Sequence, residues 1–174
     1  MIYWMKPLPP AEIDTEVYRP FIRSDWFRKN YMWFVYGLIA LILAAGFLFP
    51  GVRSLSMGIC LALGIPVFVT HELLHFLVVF RIGNVSLTRS GIFFWIHSDA
   101  HMSRGRFWLF MSLPLVMLTL VPAALAAAVS GPVRPYLLYI AWLNAMIAGS
   151  DIINSVLILF KPRNAVFYRG HYRA

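Results

Sequence analysis

The feature that most constrains this chain is an unbroken apolar run over residues 31–49, YMWFVYGLIALILAAGFLF, which ends at Pro50-Gly51. Coiled into an α-helix rising about 1.5 Å per residue, it matches the thickness of a bilayer's hydrocarbon core, about 30 Å. Three further runs follow over residues 55–80, 107–129 and 136–160. In lipid every backbone amide must find its partner within the protein, so each run reads as a transmembrane helix. Composition agrees. Hydrophobic residues make up 60% of the 174 and charged residues 13%, against roughly 45–50% and about 25% in soluble domains. That leaves too few charges to clothe a water-facing globule, and a mean hydropathy of +0.73 excludes a disordered chain, a fibre or a solenoid of polar repeats. The single cysteine, Cys60, excludes a disulfide scaffold and a cysteine-rich zinc module.

Around these runs the chain divides into a polar segment over 1–30, a membrane domain over 31–160 and a short tail over 161–174. Pro7, Pro9, Pro10 and Pro20 break any long helix in the first segment, which lacks the apolar core and cleavage site of a secretory signal. Thirteen of the fifteen Lys and Arg residues fall in that segment, in the loop 81–106 or in the tail; the other two are Arg53 and Arg134. This asymmetry predicts a multi-pass protein of the cell membrane with both termini in the cytoplasm. The net charge of +8 is then a topology signal, with attraction to anionic headgroups of the bilayer. No nucleic-acid partner is expected, because the cations are not interleaved with stacking aromatics in one patch.

Between the second and third runs, Val85-Ser86-Leu87-Thr88 alternates apolar and polar, and Ser90-Gly91 turns into Ile92-Phe93-Phe94-Trp95-Ile96. This predicts a β-hairpin within 83–105, too short to span and too apolar to float free. The expected fold is an all-α polytopic membrane protein: four transmembrane helices with a membrane-associated β-hairpin between helices two and three.

Five of the seven acidic residues lie in polar segments; Glu72 and Asp151 lie in apolar spans. A charge at a span's centre costs at least about 2.5–3.5 kcal/mol on insertion scales, so each needs a partner or a neutral form. Glu72 lies within His71-Glu72-Leu73-Leu74-His75, the H-E-x-x-H pattern. Helical positions i and i+4 share a face, so both imidazoles can address one metal ion, while Glu72, rotated by about 100°, can reach a metal-bound water without being a ligand. Catalytic zinc takes three protein ligands and keeps one position for water. The third candidate is Asp151. In the expected topology helices two and four run in the same direction, and their inner ends are marked by Arg81 and Lys161. Asp151 then lies about 15 Å from its marker and the histidines about 9–15 Å from theirs, in one layer. Asn144, Asn154 and Ser155 lie along or beside the same face of the fourth run, as supports for the ligands or as donors to a substrate backbone. Ala148 and Gly149 permit a close helix approach.

Two other chemistries use the same residue types. A histidine pair can clasp Asp151 by hydrogen bonds between helices, and ionisable groups in a membrane can form a proton or metal-ion relay. His97-Ser98-Asp99-Ala100-His101 also spaces two histidines by four, but in the loop, where a polar hairpin tip or a turn before the helix is the simpler reading. Asn84-Val85-Ser86 matches a glycosylation acceptor that would go unused on the cytoplasmic side.

The His71-Glu72-x-x-His75 helix, the apolar hairpin after it and Asp151 in a later helix together resemble the site-2 protease class of intramembrane zinc metalloproteases. Over residues 31–160 the chain resembles more closely the small bacterial membrane proteins described as putative zincin peptidases. Site-2 proteases carry an Asn, then prolines, then Leu-Asp-Gly; here Asn144 precedes Ser150-Asp151-Ile152. The resemblance implies a Zn²⁺-dependent hydrolase acting on a membrane protein or peptide. It matches the assignment of His71, His75 and Asp151 to the metal and of Glu72 to catalysis. A metal-ion or proton transporter, or an inactive metal-binding scaffold, is the alternative.

Overall fold

The computed structural model describes residues 1–48, 52, 54–90 and 93–174, and for 90 and 93–95 the backbone alone. The Pro50-Gly51 end of the first run, Arg53 and the Gly91-Ile92 turn therefore lie outside the described residues. In chain order the elements are β1 (Ile2–Trp4), β2 (Arg19–Pro20), α1 (Asp25–Leu48), α2 (Met57–Val79), β3 (Val85–Ser90), β4 (Phe93–Ser98) and β5 (Met102–Ser103). Then come α3 (Arg104–Leu115), a π-helical turn (Val116–Leu120), α4 (Val121–Ala128), α5 (Arg134–Ile147), α6 (Gly149–Leu159), β6 (Val166–Tyr168) and β7 (His171–Arg173).

Three helical stretches are long and apolar enough to cross a membrane: α1, α2 and the continuous Arg104–Ala128 rod built of α3, the π-turn and α4. The pair α5–α6 qualifies only as a unit, because it is bent by 66° at Ala148. The fourth run is thus two helices meeting at an angle rather than one straight helix. α1 also starts earlier than its apolar run, at Asp25, after Ser24 whose Oγ accepts from the Phe27 amide at 3.2 Å. Ser56 and Ser103 open α2 and α3 by the same device, each supplying an acceptor to the first-turn amides that have no helical partner. Leu41, Leu61, Ile65 and Val69 stand exposed on α1 and α2, as lipid-facing side chains would.

Two of the aromatic residues at the ends of the spans serve the interior. The Tyr139 hydroxyl donates to the Cys60 carbonyl at 2.9 Å, tying α5 to α2. The Tyr31 hydroxyl sits 3.1 Å from the Ser150 carbonyl and 3.0 Å from Asn154 Oδ1, tying α1 to the start of α6. Trp142 donates from Nε1 to the Ile42 carbonyl at 2.9 Å, lying across Gly46 of α1. Gly149 does the same at the bend: a Cβ there would meet Ile39 Cγ1 at 2.9 Å. Both glycines let helices approach closer than any side chain would permit.

The departure from the all-helical expectation is a pair of small sheets. The hairpin is present, β3 pairing with β4 in antiparallel register from Val85↔Ser98 to Ser90↔Phe93. The N-terminal segment adds β1 to it in parallel, Ile2↔Val85 to Trp4↔Leu87, so among the described residues β4 is one edge of this sheet and the short β1 the other. The tail forms the β6–β7 hairpin, flanked by β2 and β5 in the order β2-β7-β6-β5. Two apolar clusters support the sheets, one around Phe21, Ile158, Phe167 and Tyr172, the other around Val79, Val85, Met102 and Phe110, which joins β3 of one sheet to β5 of the other. Both clusters engage Phe107 and Met111 of α3.

The loop motif His97–His101 lies at the hairpin's base. The Asp99 carboxylate accepts from the Asn84 amide and from Asn84 Nδ2, both at 2.6 Å, and His101 stacks on Tyr168 with ring centroids 4.3 Å apart. Gly83 is required there because a Cβ would stand 2.8 Å from the Ala100 nitrogen.

Candidate metal centre

α2 places His71 and His75 one turn apart with both imidazoles buried, 3% and 6% exposed. The bend at Ala148 starts a new helix in the interior, and Asp151 lies in its first turn, where the unpaired amides and the helix dipole favour a carboxylate. Three atoms converge. His71 Nε2 and His75 Nε2 are 3.2 Å apart, and each is 3.2 Å from Asp151 Oδ2. Among the described residues this is the group of three or more His, Cys, Asp or Glu side chains that could hold a metal ion. The fold brings together the three side chains that the sequence grouped.

The partners on the other side of each ring settle which nitrogen carries the proton. His75 Nδ1 is 2.6 Å from the Phe110 carbonyl, which can only accept, so Nδ1 is the N–H. That carbonyl is free because Pro114, four residues on, has no amide to donate back to it. His71 Nδ1 is 2.9 Å from Asn144 Oδ1. The Asn144 amide group is oriented by its other end: Nδ2 donates to the Pro114 carbonyl at 3.0 Å and to Thr119 Oγ1 at 2.9 Å. Oδ1 is therefore the atom facing His71, and His71 Nδ1 is also an N–H. In neutral rings both Nε2 atoms then present lone pairs to each other and to a carboxylate. A cation or an extra proton must sit among them.

Glu72 lines the same cavity, about 480 Å³ in volume, together with both histidines, Asp151 and Asn154. Its Oε2 is buried with no hydrogen-bond partner. Asn154 sits against Tyr31 and places Nδ2 3.8 Å from Met111 Sδ. Ser155 is buried, has no partner for its Oγ and is not part of the cavity wall. Phe110, Pro114, Thr119 and Tyr31 are the supporting residues that sequence reasoning missed. A proline inside the third run was the available signal, since it always releases the carbonyl four residues earlier.

The sequence profile of a family described as putative zincin peptidase matches residues 64–166, which include both histidines, Glu72 and Asp151. The chain belongs to this family. No curated protein and no solved structure matches it.

Membership in the zincin peptidases implies Zn²⁺, and the donor set fits that ion. Zinc–nitrogen and zinc–oxygen bonds of about 2.0–2.2 Å in a tetrahedron place neighbouring donors about 3.3–3.6 Å apart, against the 3.2 Å separations seen. Two imidazoles and one carboxylate leave one position open, as in catalytic rather than structural zinc sites. The orphaned Glu72 Oε2 belongs to a residue lining the same cavity as the three donors.

Proposed function

We propose that this zincin peptidase works within the bilayer, hydrolysing peptide bonds of membrane-embedded or membrane-associated polypeptides in the manner of site-2 proteases. The observation that carries the reading is the convergence of three lone-pair donors beside a buried, unpartnered Glu72 oxygen, all on helices built for lipid. The proposed arrangement has four spans, α5–α6 forming the last, with both termini in the cytoplasm.

His71, His75 and Asp151 would hold the zinc, which would supply Lewis-acid polarisation of the scissile carbonyl and acidify the attacking water. Glu72 takes the proton of the attacking water on Oε2 and later delivers it to the leaving amine. Asn144 and the Phe110 carbonyl keep both rings in the tautomer that ligates. A substrate helix has no free carbonyl to offer, so the segment at the site must be extended. β4 can receive it: β1 covers the β3 side of the hairpin, and Ile96 of β4 lines the catalytic cavity.

The test is cleavage of an apolar test segment by the purified protein in proteoliposomes, with zinc content measured in parallel. Wild type should hold about one zinc per chain and cleave; Glu72→Gln should hold the zinc and not cleave. A clasp sharing a proton among the three groups also satisfies the triangle; it predicts no bound zinc and no turnover.

A further inference from the structure

A second cavity of about 520 Å³ adjoins the catalytic one and shares Ile96, Phe110, Met111 and Asn154 with it. Its apolar wall includes Phe21, Phe107 and Phe167, and its polar side carries His97 of β4 with Arg169 and His171 of the β6–β7 hairpin. None of the described residues lining it is acidic. Arg169 occupies the turn with φ 43°, followed by Gly170 at φ 75°, a left-handed position where asparagine or glycine is the ordinary occupant. Nη1 of Arg169 donates to the Pro9 carbonyl at 2.6 Å, and the guanidinium lies 5.7 Å from the Tyr168 ring centroid. Among the described residues it makes no ion pair. The cavity therefore holds one anchored, unneutralised cation, and two imidazoles share its lining.

What passes between the cavities follows from the free edge of β4. Ile96 borders both spaces, while His97 and Ser98, next along the strand, border the second. An extended chain paired with that edge advances about 3.3 Å per residue and turns alternate side chains the same way. A substrate whose scissile bond lies at the metal centre thus carries its residues a few positions away into the second cavity.

We propose that this cavity is a specificity site that takes an Asp or Glu side chain of the substrate's extended segment, its carboxylate bound by Arg169 with His97 and His171 beside it. A charge-assisted bond to the guanidinium selects the acid, and a Lys or Arg at the same place meets a like charge and is refused. The inference rests on the peptidase reading and adds to it a substrate class: membrane segments with an acidic residue a fixed, short distance from the cleaved bond.

The test separates binding from cleavage. Labelled peptides with one apolar helix and a neutral extended flank carry a single Glu, Gln or Lys walked along the flank. Their affinities for full-length Glu72→Gln protein in nanodiscs of neutral lipid are read by fluorescence anisotropy. At one flank position Glu should bind about ten-fold tighter than Gln, and Lys more weakly than Gln. Adding Arg169→Gln should bring the Glu-to-Gln ratio to about one, and Arg169→Glu should invert the order of Glu and Lys. Zinc content of each variant reports whether it is folded, and the comparison among peptides on the unaltered cavity stands without any variant. A Glu-to-Gln ratio of one at every position, or a preference untouched by Arg169→Glu in a zinc-loaded protein, overturns the proposal. Wild type that cleaves every peptide alike sinks the specificity site and leaves the peptidase; wild type that cleaves none while the anisotropy preference holds sinks the peptidase and leaves the carboxylate site.

Discussion

The main-chain carbonyl of Phe110 accepts a 2.6 Å hydrogen bond from Nδ1 of His75. It can do so because Pro114 leaves it without a helical partner, so a gap in one helix's hydrogen-bond ladder sets the proton on a ring of another. Replacing Pro114 with Ala restores an amide that competes for that carbonyl. Zinc affinity should fall about 10–100-fold, the usual cost of losing such a support, as measured by chelator competition. Thermal stability of the zinc-free protein should hold or rise, since a mid-helix proline costs a helix about 3 kcal/mol. A role in packing alone would give the opposite pattern.

Asn144 links two elements to one ligand, so its contacts should behave as a unit. Asn144→Ala should weaken zinc binding about 10–100-fold. Thr119→Val leaves the Pro114 carbonyl to hold the amide and should cost less. The double variant should lose little beyond Asn144→Ala alone, because both act through the same hydrogen bond to His71. Additive losses would separate Thr119 from His71.

For Glu72, the expected split is between metal and turnover. Glu72→Gln keeps the shape and should retain zinc, while cleavage falls about 10²–10⁴-fold with loss of proton transfer. Full activity in the variant, measured on the same proteoliposome substrate, would remove the residue from the mechanism.

Chelation should destabilise the fold. An ion that binds the native state at 100 times its Kd contributes about 2.7 kcal/mol, so stripping zinc should lower Tm and adding it back should restore it. Asp151→Asn should abolish that zinc-dependent shift. A shift of unchanged size in Asp151→Asn would mean that the ion is held elsewhere.

At the bend, Gly149 faces Ile39 with no room for a side chain. Gly149→Val should cost about 1–3 kcal/mol through overpacking, whereas Gly37→Ala, where a Cβ meets nothing within 4 Å, should be neutral or slightly stabilising. Unfolding midpoints in mild detergent would read the difference.

Much of this was legible in the chain itself. The lengths of the apolar runs, the i and i+4 spacing of His71 and His75, and the cost of leaving Asp151 alone in lipid are properties of single segments. They require no knowledge of neighbours, and they led to the donor set that the fold brings together. The hairpin was legible too, since alternation marks a strand wherever one face is buried. Less visible was the bend at Ala148: the fourth run carries no proline to mark a break, and only the close seat of Gly149 against α1 and the tie from Tyr31 show why it breaks there. The N-terminal segment and the tail read as polar connectors because strands of two or three residues leave almost no periodic signal.

The sequence by itself thus determined which segments seek lipid and which side chains cannot rest there alone, because transfer free energies and helical spacing act within a segment. Only the tertiary structure decided where the protons sit on the two imidazoles, that Asn144 serves His71, and that β4 borders two cavities. Those depend on hydrogen bonds between residues far apart in the chain, whose geometry exists only once the helices have packed.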